Sequence, residues 1–117
     1  ASLYVSGGMQ VAYRNIVDDI TVDELLKGGD YIIGVSGSGG TGNSLGKVEV
    51  IFPAPVSAGK GRLLIIKDEL PGPRTATHAI TASSTGGKLI DNSTAYYIYG
   101  TMAAATFYCD GEMWFVI

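Results

Sequence analysis

Few residues in this chain are of a type and spacing that do chemistry. Gly37-Ser38-Gly39-Gly40-Thr41-Gly42 fits the G-x-G-x-x-G pattern and follows a predicted strand. A dinucleotide site needs a helix to start there, with its N-terminal amides aimed at a pyrophosphate. Another strand follows instead, so the segment reads as a loop. Gly46-Lys47 imitates the end of a phosphate-binding loop, but Thr41 stands where the first glycine is required and Val48 replaces the Ser or Thr that would hold magnesium. His78 is the only histidine. No nucleophile elbow surrounds any serine, and a histidine-based metal site needs several more ligands. Asp18, Asp19, Asp23, Glu24 and Asp30 form a loose acidic group without the close spacing of a calcium loop. No pair of carboxylates is singled out for glycoside hydrolysis. Cys109, the one cysteine, has no evident neighbouring base and reads as a buried, inert thiol. No catalytic activity, metal or cofactor is therefore expected.

Recognition chemistry remains. Tyr96, Tyr97 and Tyr99 fall in one short segment. In a strand, Tyr97 and Tyr99 share a face and Tyr96 takes the other. Two readings stand side by side. One is packing in the core or between subunits; the other is stacking on sugars or peptides, for which a phenol offers a flat apolar face and a hydrogen-bonding tip. Residues 34–46 hold six glycines interleaved with Ser, Thr and Asn, the composition of a flexible loop. Asn92-Ser93-Thr94 is a formal glycosylation sequon, but it falls at a turn, where these residue types are expected anyway.

The elements that must position these groups are short strands. The 117 residues suffice for one domain, with 17 glycines and 4 prolines as punctuation, 46% hydrophobic and only 16% charged residues. That balance excludes a disordered tail and a coiled coil. A net charge of −3 without a basic stripe excludes nucleic acid as a partner, and no apolar run approaches the roughly 18 residues of a membrane helix. Strands are predicted over Gln10–Ile16, Tyr31–Val35, Lys47–Phe52, Arg62–Lys67, His78–Ala82, Lys88–Ile90, Ala95–Tyr99, Ala104–Cys109 and Met113–Ile117. Thr21–Lys27 reads as a short helical connector, with Thr21 and Glu24 as a capping box. The apolar centre of Arg62–Lys67 calls for cover on both faces. Asp110-Gly111 predicts a two-residue type I′ hairpin turn into a paired C-terminal strand. Short strands at this spacing, without long helices to cross between parallel neighbours, predict an all-β, antiparallel sandwich, jelly-roll-like.

The block order resembles the C-terminal module of bacteriophage tail fibres, tail spikes and related virion appendages. The matching blocks include Asp30-Tyr31-Ile32-Ile33, Val48-Glu49-Val50-Ile51-Phe52-Pro53-Ala54 and Gly61-Arg62-Leu63-Leu64-Ile65-Ile66-Lys67-Asp68. His78-Ala79-Ile80-Thr81 and Gly87-Lys88-Leu89-Ile90-Asp91 follow. The last, Phe107-Tyr108-Cys109-Asp110-Gly111-Glu112-Met113-Trp114-Phe115-Val116-Ile117, is similar to that family's "S-D-G-x-N-W-x-V-I" close, with Cys109 in place of Ser and Met113 in place of Asn. The resemblance spans roughly residues 28–117. It implies a homotrimeric distal knob on the virion that attaches to a host cell-surface receptor such as a glycan. A trimerisation cap or capsid decoration module without a ligand is the alternative. On this reading Ser38, Thr41, Asn43 and Tyr96 are the receptor contacts, and Tyr97, Tyr99, Trp114, Phe115 and Ile117 serve subunit or core packing.

Overall fold

The structure is a computed structural model that describes residues 11–16, 22–25, 31–37 and 48–117. It is mostly β-sheet. Eleven strands are present among the described residues: β1 (Tyr13–Ile16), β2 (Val22–Leu25), β3 (Ile32–Val35), β4 (Val48–Phe52), β5 (Leu63–Asp68), β6 (Pro73–Arg74), β7 (Ile80–Ser84), β8 (Tyr96–Ile98), β9 (Gly100–Thr101), β10 (Ala104–Cys109) and β11 (Trp114–Val116). One short helix, α1 (Pro55–Ala58), follows β4 and starts on the proline, whose fixed φ suits the first helical turn.

The strands form a five-stranded sheet in the order β1-β3-β5-β10-β11, a four-stranded sheet in the order β2-β4-β7-β8, and a small β6-β9 ribbon. The expected antiparallel winding is corrected here. Four of the eight pairings are parallel: β1 with β3, β3 with β5, β2 with β4, and β4 with β7. The chain steps from one sheet to the other and back, so each parallel neighbour is reached through a strand of the opposite sheet. A parallel pair needs a long crossover, and here a strand fills the place that a helix usually takes. Tyr13 pairs with Ile32 and Ile32 with Ile65; Val22 pairs with Val48 and Val48 with Ile80. These steps are unequal in length, so no fixed repeat shows in the sequence.

The connector expected at Thr21–Lys27 is strand β2, because Val22–Leu25 pairs residue for residue with Val48–Ile51 and tertiary pairing overrides a weak local preference. The strand expected over Lys88–Ile90 reduces to bridges at Ile90, with Ser93 and Trp114. The hairpin before the C-terminal strand exists, with Cys109 opposite Trp114, but its turn differs from the expected one. The two-residue turn with both central residues at positive φ is Asp91-Asn92 (φ 50° and 70°). Asp110 instead opens a four-residue connection, its Oδ1 accepting the backbone N–H groups of Glu112 and Met113 at 2.8 and 2.9 Å. Those bonds favour the carboxylate and hold Asp110 below its ordinary pKa.

Alternation makes the core. Val48, Val50 and Phe52 of β4, Ile80 and Ala82 of β7, and Ile98 of β8 point inward from the four-stranded sheet. Ile33, Val35, Leu64, Ile66, Phe107 and Trp114 meet them from the five-stranded sheet in one buried cluster. Phe52 joins the two sheets, edge-on to Phe107 (4.9 Å between centroids) and to Trp114 (4.8 Å). The Trp114 indole N–H donates to the Pro53 carbonyl at 3.1 Å, satisfying the one polar atom of a side chain that is fully buried.

Candidate functional site

The tyrosine segment is β8, an edge strand of the four-stranded sheet. Its alternation holds, with a consequence for the assigned roles. Tyr96 turns inward, half-buried, its ring edge-on to Phe107 at 5.6 Å. Tyr97 and Tyr99 turn outward and are 56% and 52% exposed. Neither packs in the core of its own chain, because the inward positions of this strand belong to Tyr96 and the fully enclosed Ile98. The outward pair is thus better placed than Tyr96 to meet a ligand. Trp114 lies in the core; Phe115 is half-buried, with its ring stacked on Tyr108 at 5.2 Å; Ile117 is 73% exposed. Ser38, Thr41 and Asn43 lie outside the described residues.

An open cleft of about 240 Å³ runs along β8, lined by Tyr96, Tyr97, Ile98, Tyr99, Ala103 and Ala104. Ala103 and Ala104 line it where the chain leaves the turn from Gly100 to Ala103. Gly100 takes φ 118° and Met102 φ 54°; the latter is a conformation that a long side chain adopts rarely. Two contacts hold this turn in place. The Lys67 ammonium donates to the Met102 carbonyl, and Gly100 and Thr101 pair with Arg74 and Pro73 across the β6-β9 ribbon.

Arg74 ties that ribbon to the core. Its guanidinium is buried and donates to the equally buried Asp68 carboxylate, from Nε to Oδ2 at 3.1 Å and from Nη2 to Oδ1 at 3.3 Å. Nη2 also donates to the Gly37 carbonyl at 2.8 Å, and Nη1 to the His78 carbonyl at 3.4 Å. The Leu70 N–H adds a bond to Asp68 Oδ1 at 3.0 Å. One buried ion pair thus braces three things: the ribbon that carries Gly100 and Thr101, the turn before β7, and the root of the glycine-rich segment. Sequence reading did not find it. The available signal was Asp68, the first of two acids closing an apolar strand, and an arginine six residues later, beyond Pro71-Gly72-Pro73.

A second, larger hollow of about 490 Å³ lies between α1 and the Asp110–Met113 connection, with Val56, Lys88, Glu112 and Met113 among its lining residues. It offers one charge of each sign on a mainly apolar wall. His78 is half-buried in a short 3₁₀ turn, with Nδ1 3.0 Å from Thr75 Oγ1. Cys109 is buried, its sulfur 3.5 Å from the Pro55 carbonyl and 3.3 Å from the Gly111 amide.

Set against known proteins, the sequence matches no protein-family model and no curated protein.

Proposed function

We propose that this chain is a non-enzymatic attachment module: a β-sandwich knob of a virion appendage, homotrimeric, that holds a host-surface glycan. The observation that carries the reading is the outward pair Tyr97 and Tyr99 beside an open cleft on an edge strand. Phenol faces stack on the apolar faces of sugar rings while their hydroxyls bond to sugar hydroxyls. Three copies would turn weak single-site contacts into firm attachment. The resemblance to tail-fibre and tail-spike ends supplies the setting. Leu63, Ile65 and Phe115 on the outer surface of the five-stranded sheet favour a second reading, a cap that only joins copies.

Binding of the purified protein to a glycan array and to host envelope preparations separates the two. Binding that is lost in Tyr97→Ala while the protein stays folded supports the attachment reading. An array and envelopes that retain nothing, with assembly intact, support the cap.

A further inference from the structure

Tyr97 belongs to a row as well as to a cleft. Register sets Tyr97, Thr81 and Glu49 side by side across β8, β7 and β4, with Asp23 at the next position on β2. The first three alternate with the enclosed Ile98, Ile80, Ala82, Val48 and Val50, and so stand on the outer face of the four-stranded sheet. Tyr97 is exposed; Thr81 and Glu49 are half-buried. Ser83, two residues on from Thr81, donates its hydroxyl to Glu49 Oε1 at 3.1 Å. That bond draws the carboxylate toward β7, the side of β4 on which Tyr97 stands. A carboxylate has about four acceptor sites, and Ser83 takes one.

We infer that this row is a saccharide subsite in which Glu49 selects a neutral glycan over an acidic one. The inference rests on the attachment reading and adds to it a second anchor and a charge class. Neighbouring strands lie about 4.8 Å apart, which places Glu49 about 10 Å from Tyr97. One sugar ring does not bridge that distance. An oligosaccharide does, with one unit on the phenol face and another against the carboxylate, and the Thr81 hydroxyl stands between them. A carboxylate only accepts hydrogen bonds, and every sugar hydroxyl has one to donate. A sugar acid would meet Glu49 as a like charge, and such repulsion is a source of specificity. The described cations beside the cleft do not offset it. Lys67, cross-strand from Ala104, is held by the Met102 carbonyl, and Arg74, cross-strand from Gly100, is held by Asp68. The net charge of −3 acts in the same direction.

The test uses the full chain and an array that pairs neutral oligosaccharides with counterparts carrying one uronic or sialic acid. The unaltered protein should retain the neutral members and pass over their acidic counterparts. Glu49→Gln should weaken neutral binding about fivefold, the difference between a hydrogen bond to a charged group and one to a neutral group. The same variant should admit the acidic counterparts; a merely structural Glu49 would lower both alike. The glutamine carbonyl can still accept from Ser83, so the sheet surface keeps its bond. If Glu49→Gln nevertheless does not fold, the preference of the unaltered protein decides. Neutral binding that is lost in Tyr97→Ala but unchanged in Glu49→Gln overturns the role of Glu49 and leaves attachment standing. A preference of the unaltered protein for acidic glycans does the same. An array on which nothing is retained overturns both.

Discussion

The two sheets present the same chemistry to each other and differ outward. Behind the five-stranded sheet lie Leu63, Ile65, Tyr108 and Phe115. Behind the four-stranded sheet lie Glu49, Ile51, Thr81, Ser83 and Tyr97, with the Ser83 hydroxyl donating to Glu49 at 3.1 Å and Tyr97 opposite Thr81. Inner faces are constrained by the need to close one core and so converge on the same residue types. Outer faces carry no such constraint, and there the two sheets diverge.

The largest effect should come from the core that both faces share. Trp114→Ala removes a fully buried ring that packs on Phe52 and bonds to Pro53. It should cost about 3–5 kcal/mol in chemical denaturation and should weaken association and ligand binding together. A loss confined to one of the two would show that the sheets fold independently.

Next comes a position on the outer face of the five-stranded sheet. Gly34 lies beneath Glu69, and a Cβ added there would stand 2.0 Å from Glu69 Oε1 and 2.3 Å from its Cδ. That carboxylate can move only by giving up the bonds it accepts from Tyr13 at 2.6 Å and from Asn15 at 2.8 Å. Gly34→Ala should cost about 1 kcal/mol, the net worth of the displaced hydrogen bonds, and part of the loss should return in a Glu69→Ala background. An equal loss in both backgrounds would place the strain elsewhere.

What the sequence disclosed and what it hid follow from the range of the physics involved. Alternation is local, so Val48, Val50 and Phe52 were legible as one face, and so was the split between Tyr96 and its two neighbours. Pairing direction is not local. Steps from Tyr13 to Ile32 to Ile65 differ in length, so the parallel winding left no period to detect, and β2 gains its strand form only from β4. Asp91-Asn92 and Asp110-Gly111 looked alike as turns; the difference lies in the Asp110 side chain, which caps two amides and lengthens the loop. Arg74 and Asp68 are separated by a proline turn that only the folded chain closes. The outward positions of Tyr97 and Tyr99 were readable as a pair, but which side of the strand meets the core was decided by the sheet's other members.

A smaller effect concerns pH. The Tyr13 phenol is held above its ordinary pKa of 10.0, first by its hydrogen bond to Glu69 and then by desolvation. The neutral phenol donates; the phenolate would face a carboxylate. A pKa raised in the folded state contributes stability that is fully present below the unfolded value and is lost as pH rises through the folded one. Spectrophotometric titration should therefore show one tyrosine ionising late, and Glu69→Gln should bring it back toward the ordinary value. A titration unchanged by that substitution would show that the bond does not hold in solution.

The smallest effect on stability is the one that divides the faces most cleanly. Tyr97 is more than half exposed on the polar side, with Thr81 as its cross-strand neighbour. Tyr97→Ala should alter folding stability by no more than about 0.5 kcal/mol, as surface substitutions do. Tyr108 is 37% exposed in the single chain and stacks on Phe115. If copies meet on its side, Tyr108→Ala should shift the association equilibrium while Tyr97→Ala leaves it alone, and glycan binding measured on matched oligomers should show the reverse. Both variants keep the core intact, so neither outcome can be assigned to unfolding. Equal effects of the two on association would erase the distinction between the faces.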